Sequence, residues 1–143
     1  MPPNVTRPCA FVFLRADDRV LVSEMRHPVD GRWYRPPGGG IEFGETSEEA
    51  ARRELREELG VAADDLELLG VREELFVLSD GPYHEIEFIF ETRLAPRALQ
   101  ALDGVRIVEA DGDVEIARVV DVADLRGGRF QPLYPTGVVE LLD

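Results

Sequence analysis

Gly39-Gly40-Ile41-Glu42-Phe43-Gly44-Glu45-Thr46-Ser47-Glu48-Glu49-Ala50-Ala51-Arg52-Arg53-Glu54-Leu55-Arg56-Glu57-Glu58-Leu59-Gly60-Val61 runs from a glycine loop into an acid-rich helix. Thr46 suits an N-cap, and Glu49 three residues later completes a capping box. Ala51, Leu55 and Leu59 recur at i, i+4 and i+8 and form one apolar stripe. Gly60 is placed to take the left-handed conformation that ends a helix. The predicted helix is therefore Thr46–Leu59.

That helix holds more acid than a solvated face requires. Glu54, Glu57 and Glu58 stand at i, i+3 and i+4, so their carboxylates fall within an arc of about 100° beside the Leu55 and Leu59 stripe. Like charges so spaced destabilise a helix by roughly 0.2–0.5 kcal/mol per pair. Glu57 and Glu58 also lie near the C-terminal end, where the helix dipole disfavours anions. Local stability does not account for the cluster, whereas a bound cation would. Gly38-Gly39-Gly40 lets the backbone approach a ligand closely, and carbonyls there are hard oxygen donors.

Outward from this stretch the chain reads mainly as strands. Cys9–Leu14 is a continuous apolar run, and Val20–Met25 follows after the turn Ala16-Asp17-Asp18-Arg19, which suggests a hairpin. Arg26–Gly31 is expected to be a loop, and Arg35–Gly40 cannot be helix interior. Leu66–Leu78 and Tyr83–Leu94 are long strands joined by the turn Ser79-Asp80-Gly81-Pro82. Arg106–Val108 and Val114–Val120 are further strands, Ala95–Gly104 has no clear preference, and Pro135–Leu142 is expected to be a short C-terminal helix. Strands around one central helix, without regular βαβ alternation, indicate an α+β fold with a mixed sheet.

The composition narrows the function classes. At 143 residues and 44% hydrophobic, residues 1–143 are read as one domain with a core of its own. The net charge of −13 opposes binding to a nucleic-acid duplex. It is compatible with small phosphorylated ligands, because a bound divalent cation inverts the local field. The single cysteine, Cys9, has no internal disulfide partner and reads as a small buried hydrophobe. There is no apolar stretch of membrane-spanning length and no signal-peptide pattern, so a cytoplasmic setting is expected.

Gly39, five residues, Glu45, seven residues, then Arg53-Glu54-Leu55-Arg56-Glu57-Glu58-Leu59-Gly60-Val61 resembles a complete Nudix box, which covers 23 of the 143 residues. The resemblance implies an α/β/α sandwich of the Nudix type, its mixed sheet flanked by the box helix and a C-terminal helix. It implies an Mg²⁺-dependent pyrophosphohydrolase, with Mn²⁺ able to substitute, acting on a nucleoside diphosphate linked to another group. Glu54, Glu57 and Glu58 would be metal ligands, and the Gly38 carbonyl a further one. Arg53 paired with Glu45 would orient the carboxylates. Glu57 or Glu58 would act as base. Outside the box, Glu115, Glu85 and Glu87 are candidate acids, with Glu115 expected as an extra metal ligand. A homodimer is also implied.

The substrate is less legible. Phe76 stands where ADP-ribose hydrolases of the family often carry a proline, and Val77-Leu78-Ser79 stands where diadenosine-polyphosphate hydrolases often carry a tyrosine. By elimination the chain resembles the nucleoside-triphosphate group, with NDP-sugars, ADP-ribose and dinucleoside polyphosphates as alternatives. Expected substrate contacts are Arg35 and Arg26 for phosphate, and Tyr34 and Phe76 for a base. Trp33, Tyr83, His84, Tyr134, Arg32 and Arg72 are further choices. A non-catalytic nucleotide-sensing module of the same family is the opposing reading, but it would be expected to show eroded box glutamates. Isomerase chemistry on the same fold would require a reactive cysteine in the site, and Cys9 falls in what reads as a core strand.

Overall fold

The computed structural model describes residues 4–108 and 113–143. The strands are β1 (Thr6–Ala16), β2 (Arg19–His27), β3 (Gly31–Arg35), β4 (Gly38–Gly40), β5 (Glu67–Leu78), β6 (Gly81–Arg93), β7 (Arg106–Val108) and β8 (Val114–Asp121). The helices are α1 (Ser47–Leu59), α2 (Pro96–Gln100) and α3 (Val122–Arg126), and a 3-10 turn covers Val138–Leu141. The sheet order is β5-β6-β1-β2-β8-β7, with β3 paired to β2 and β4 to β1. β1 runs parallel to β6, and the other pairs are antiparallel. The sheet is therefore mixed, as expected.

β1 is central because it is apolar on both faces. Ala10, Val12 and Leu14 pack with Ala50, Ala51 and Leu55 of α1 and Leu99 of α2. Their neighbours Cys9, Phe11 and Phe13 pack on the opposite face with Val122 and Leu125 of α3 and with Leu133, Val138 and Leu142. A continuous hydrophobic run is what a strand covered on both sides needs. Helices lie on both faces of the sheet, which gives the α/β/α arrangement.

The helix caps follow the sequence. The Glu49 N–H donates to Thr46 Oγ1 at 3.1 Å, and the Thr46 hydroxyl donates to the Glu49 carboxylate at 3.1 Å. Gly60 lies at φ +67°; its N–H reaches the Arg56 carbonyl at 3.1 Å, and the Val61 N–H reaches that of Leu55 at 3.2 Å. The first of these bonds is that of an αL cap.

Four segments differ from the sequence reading. β2 and β3 extend as a hairpin into Arg26–Gly31, because His27 Nδ1 accepts from the Val29 and Asp30 N–H groups and closes a tight turn. The three glycines form β4 as well as a loop. Ala95–Gly104 begins with α2, where Pro96 occupies the first turn, in which a missing N–H costs nothing. The expected helix Pro135–Leu142 is only the Val138–Leu141 turn, because Gly137 at φ +78° interrupts it.

Candidate active site

The site begins where β4 meets β1. Gly38 lies at φ +147°, and a side chain there would collide with the Ala10 carbonyl and come within 2.8 Å of Phe11 Cα. Only glycine lets the chain pass so close to the central strand. At Gly39 a Cβ would fall 2.7 Å from Glu54 Oε1, so the missing side chain is what admits the Glu54 carboxylate against the loop.

Arg53 fastens loop to helix. Its Nε donates to Glu45 Oε2 at 2.8 Å, and its Nη2 to Glu45 Oε1 and to the Gly40 carbonyl, each at 3.0 Å. Its Nη1 reaches Glu54 Oε1 at 2.9 Å and Glu57 Oε2 at 3.3 Å. The fork geometry of a guanidinium serves this role and an ammonium would not. Hydrogen bonds from Arg53 and from the Glu42 N–H hold the Glu45 carboxyl at about 2.

The glycine strand, Glu54 and Glu58 form one wall of a cleft of about 490 Å³ that also includes Arg35, Trp33, Phe76, Tyr83 and Glu85. A chamber of about 200 Å³ adjoins it, sharing Trp33, Arg35, Phe76, Leu78 and Glu85 and adding Glu74, Glu87 and Tyr134. Phe76 and Tyr83 are stacked with ring centroids 4.9 Å apart and planes 4° from parallel. The combined cavity is thus lined by acids and aromatic rings together.

The acids in and next to it are poorly satisfied. Both Glu115 carboxylate oxygens, Glu58 Oε2 and Glu87 Oε1 are buried without a hydrogen-bond partner. Burial, the neighbouring Glu115 charge and a hydrogen bond with Glu54 push the Glu58 carboxyl up to about 10. Burial and the charges of Glu85 and Glu74 push Glu87 up to about 8. Arg35 Nη2 lies 4.0 Å from Glu115 Oε1. Orphaned hard oxygens such as these fit a divalent cation, which takes carboxylate donors. Among the described residues, no three such donors are grouped so as to hold an ion as they stand.

The structure sorts the expected residues. Glu54, Glu58, Gly38, Arg35 and Phe76 line the cleft, and Glu115 faces Arg35 from β8. Glu57 is 60% exposed and turns toward Arg53. Glu85 lines both parts of the cavity and Glu87 the inner chamber. Tyr34 does not line the cleft: strand alternation turns it into the core, where its hydroxyl donates to Glu24 at 3.2 Å. Arg26 is likewise outside the residues that line either space and pairs with Glu24 at 2.6 Å. Cys9 is buried as expected but borders the cleft. Burial and the charge of Glu85 push its thiol up to about 12, which leaves it unreactive.

Sequence reasoning missed Glu74, Arg7 and Met25 as lining residues. Glu74 was findable: on β5 it alternates with exposed Glu73 and Leu75 and shares the face of Phe76 and Leu78. It is buried and accepts from the Thr136 hydroxyl at 2.9 Å.

The comparisons agree with this architecture. The chain is similar to the 8-oxo-dGDP phosphatase NUDT18 of Mus musculus, 41% identical over 71 residues, 49% of this chain and 22% of that protein. It is similar to an RNA pyrophosphohydrolase of Sphingopyxis alaskensis, 42% identical over 82 residues, 56% of this chain and 50% of that protein. The chain thus spans half or less of the length of these curated relatives. The crystal structure of a MutT NUDIX hydrolase from Burkholderia pseudomallei shares the fold, with a TM-score of 0.70 and 24% identity over 96% of this chain and 97% of that one. A family model described as the NUDIX domain matches residues 5–136. With the box helix, the glycine strand and the sheet all in place, the chain belongs to the Nudix family.

Proposed function

We propose that this chain hydrolyses a nucleoside diphosphate linked to another group, and that its substrate is a ribo- or deoxynucleoside triphosphate or a modified nucleotide. The observation that carries the reading is the meeting of partnerless acids and aromatic rings in one cavity. Buried carboxylate oxygens of Glu58 and Glu87 without partners share its walls with the stacked rings of Phe76 and Tyr83. A diphosphate and a nucleobase require those two environments.

The residues present suit a divalent cation, with Mg²⁺ proposed and Mn²⁺ as its substitute. Glu54, Glu57 and Glu58 would hold it together with the Gly38 carbonyl, and Glu115 is the proposed additional ligand. When bound, such an ion neutralises charge on the diphosphate oxygens and lowers the pKa of a water. Arg53, locked to Glu45 and Gly40, keeps Glu54 and Glu57 pointed toward the loop. Glu57 or Glu58 accepts the proton of the attacking water. The water oxygen joins phosphorus, the P–O–P bridge breaks, and the leaving oxygen departs with the remaining phosphorylated fragment. Phe76 and Trp33 offer apolar faces to the base.

The test is a hydrolysis screen with Mg²⁺ or Mn²⁺ over nucleoside triphosphates, oxidised nucleotides, ADP-ribose, NDP-sugars and dinucleoside polyphosphates. Turnover of a nucleoside triphosphate or oxidised nucleotide, lost by orders of magnitude in Glu57→Gln or Glu58→Gln, is expected. Inactivity across the panel, or near-normal rates in both variants, would overturn the proposal.

A further inference from the structure

Three arginines serve the acids of this cleft: Arg7, whose Nη1 lies 3.6 Å from Glu85 Oε2, and Arg53 and Arg35, which are held very differently. Arg53 makes five hydrogen bonds of 2.8–3.3 Å. Arg35 is placed by β3, where alternation turns Trp33 and Arg35 to the cleft and Tyr34 to the core. Its Nε is buried without a partner. Its nearest carboxylate oxygen, Glu115 Oε1, is 4.0 Å away, beyond hydrogen-bond distance. Its guanidinium carbon sits 5.0 Å from the centroid of the Phe11 ring, a contact that steadies a cation without engaging its donors.

Glu115 is only 1% exposed, and neither of its oxygens has a hydrogen-bond partner. Although burial disfavours the charge on Arg35, the charges of Glu115, Glu58 and Glu85 outweigh it and keep the side chain protonated. A structural arginine beside a buried carboxylate would be expected to close on it with two short bonds. Arg35 supplies charge to several acids at once and is fastened to none of them.

We propose that Arg35 is the resident counter-cation of Glu115 in the metal-free protein and competes with a divalent cation for the acids around it. The inference rests on the reading of these acids as a cation site. It adds that loading is opposed by a charge carried on the chain itself. The loose seating is what makes the exchange feasible: the guanidinium gives up long-range attraction and breaks no short bond. Arg35 is thus a positioning residue for the site and a control on its affinity for metal.

The test measures Mn²⁺ binding by the full chain at pH 8, using the electron paramagnetic resonance signal of free Mn²⁺, for the parent, Arg35→Gln, Arg35→Met and Arg35→Lys. The two uncharged variants should bind about tenfold more tightly, as expected when a like charge a few ångströms away is removed, and lysine should restore the parent affinity. In EDTA the uncharged variants should melt below the lysine variant. If Arg35→Met does not fold, Arg35→Gln carries the comparison. Equal or weaker Mn²⁺ binding in the uncharged variants overturns the proposal while leaving the cation site standing. Absence of Mn²⁺ binding in every form, parent included, overturns both.

Discussion

Replacing Glu58 with Gln should stabilise the metal-free protein, by an amount that grows with pH. The Glu58 carboxyl has one buried oxygen without a partner and is pushed from 4.5 to about 10, chiefly by burial and then by the Glu115 charge. A carboxyl whose folded pKa lies above its unfolded value binds its proton more tightly in the folded state. Its contribution is therefore favourable at low pH, and stability falls as pH climbs from 4.5 toward the folded value. At pH 7 that interval caps the penalty at about 3 kcal/mol. The neutral glutamine removes the penalty but leaves a buried amide short of partners, so the net gain is about 1 kcal/mol. For a chain of this size that raises Tm by about 3 °C. The assay is thermal melting in EDTA from pH 5 to pH 8.5. The gain should disappear near pH 5 and be largest at pH 8.5, and Mg²⁺ should raise the parent's Tm more than the variant's. A variant that melts below its parent at pH 8.5, or a difference that ignores pH, would refute the reasoning.

Gly38→Ala should cost about 3 kcal/mol or more, because both the φ of +147° and the approach to Phe11 exclude a Cβ; urea melts read it directly. Phe76→Ala should raise KM several-fold with little change in kcat, since the ring lines both parts of the cavity. Tyr34→Phe should leave KM unchanged, because its hydroxyl serves Glu24 in the interior; steady-state kinetics on one substrate compares the two.

The box was legible because its constraints are local. A capping box, an i, i+4, i+8 stripe and a terminal glycine specify α1 without help from the rest of the chain, and the helix runs within one residue of its expected start. The long strands around it were legible for the same reason, since alternation is visible within a dozen residues. β4 was not, because three glycines carry no side-chain pattern and become a strand only when β1 offers an edge. Arg35 and Tyr34 show the same limit at the site. Both were expected at the substrate, yet pairing β3 to β2 sends adjacent residues to opposite faces. Glu115 could be suspected from the sequence, but that it faces Arg35 depends on β8 lying beside β2, some ninety residues away in the chain.

The parallel pairing of β1 with β6 has a consequence for how the protein is born. Thr6 pairs with His84 and Arg15 with Arg93, so the most apolar strand leaves the ribosome long before its partner exists. Contacts between segments so distant form slowly, since loop-closure entropy is lost before they reward it. Until then β1 can close only its hairpin with β2 and its short pairing with β4, and its other edge stays open to a second nascent chain. The seam around which the fold is built is therefore also its main hazard during synthesis, and a slowly translated or truncated copy ending before β6 would expose an aggregation-prone edge beside an already formed glycine strand.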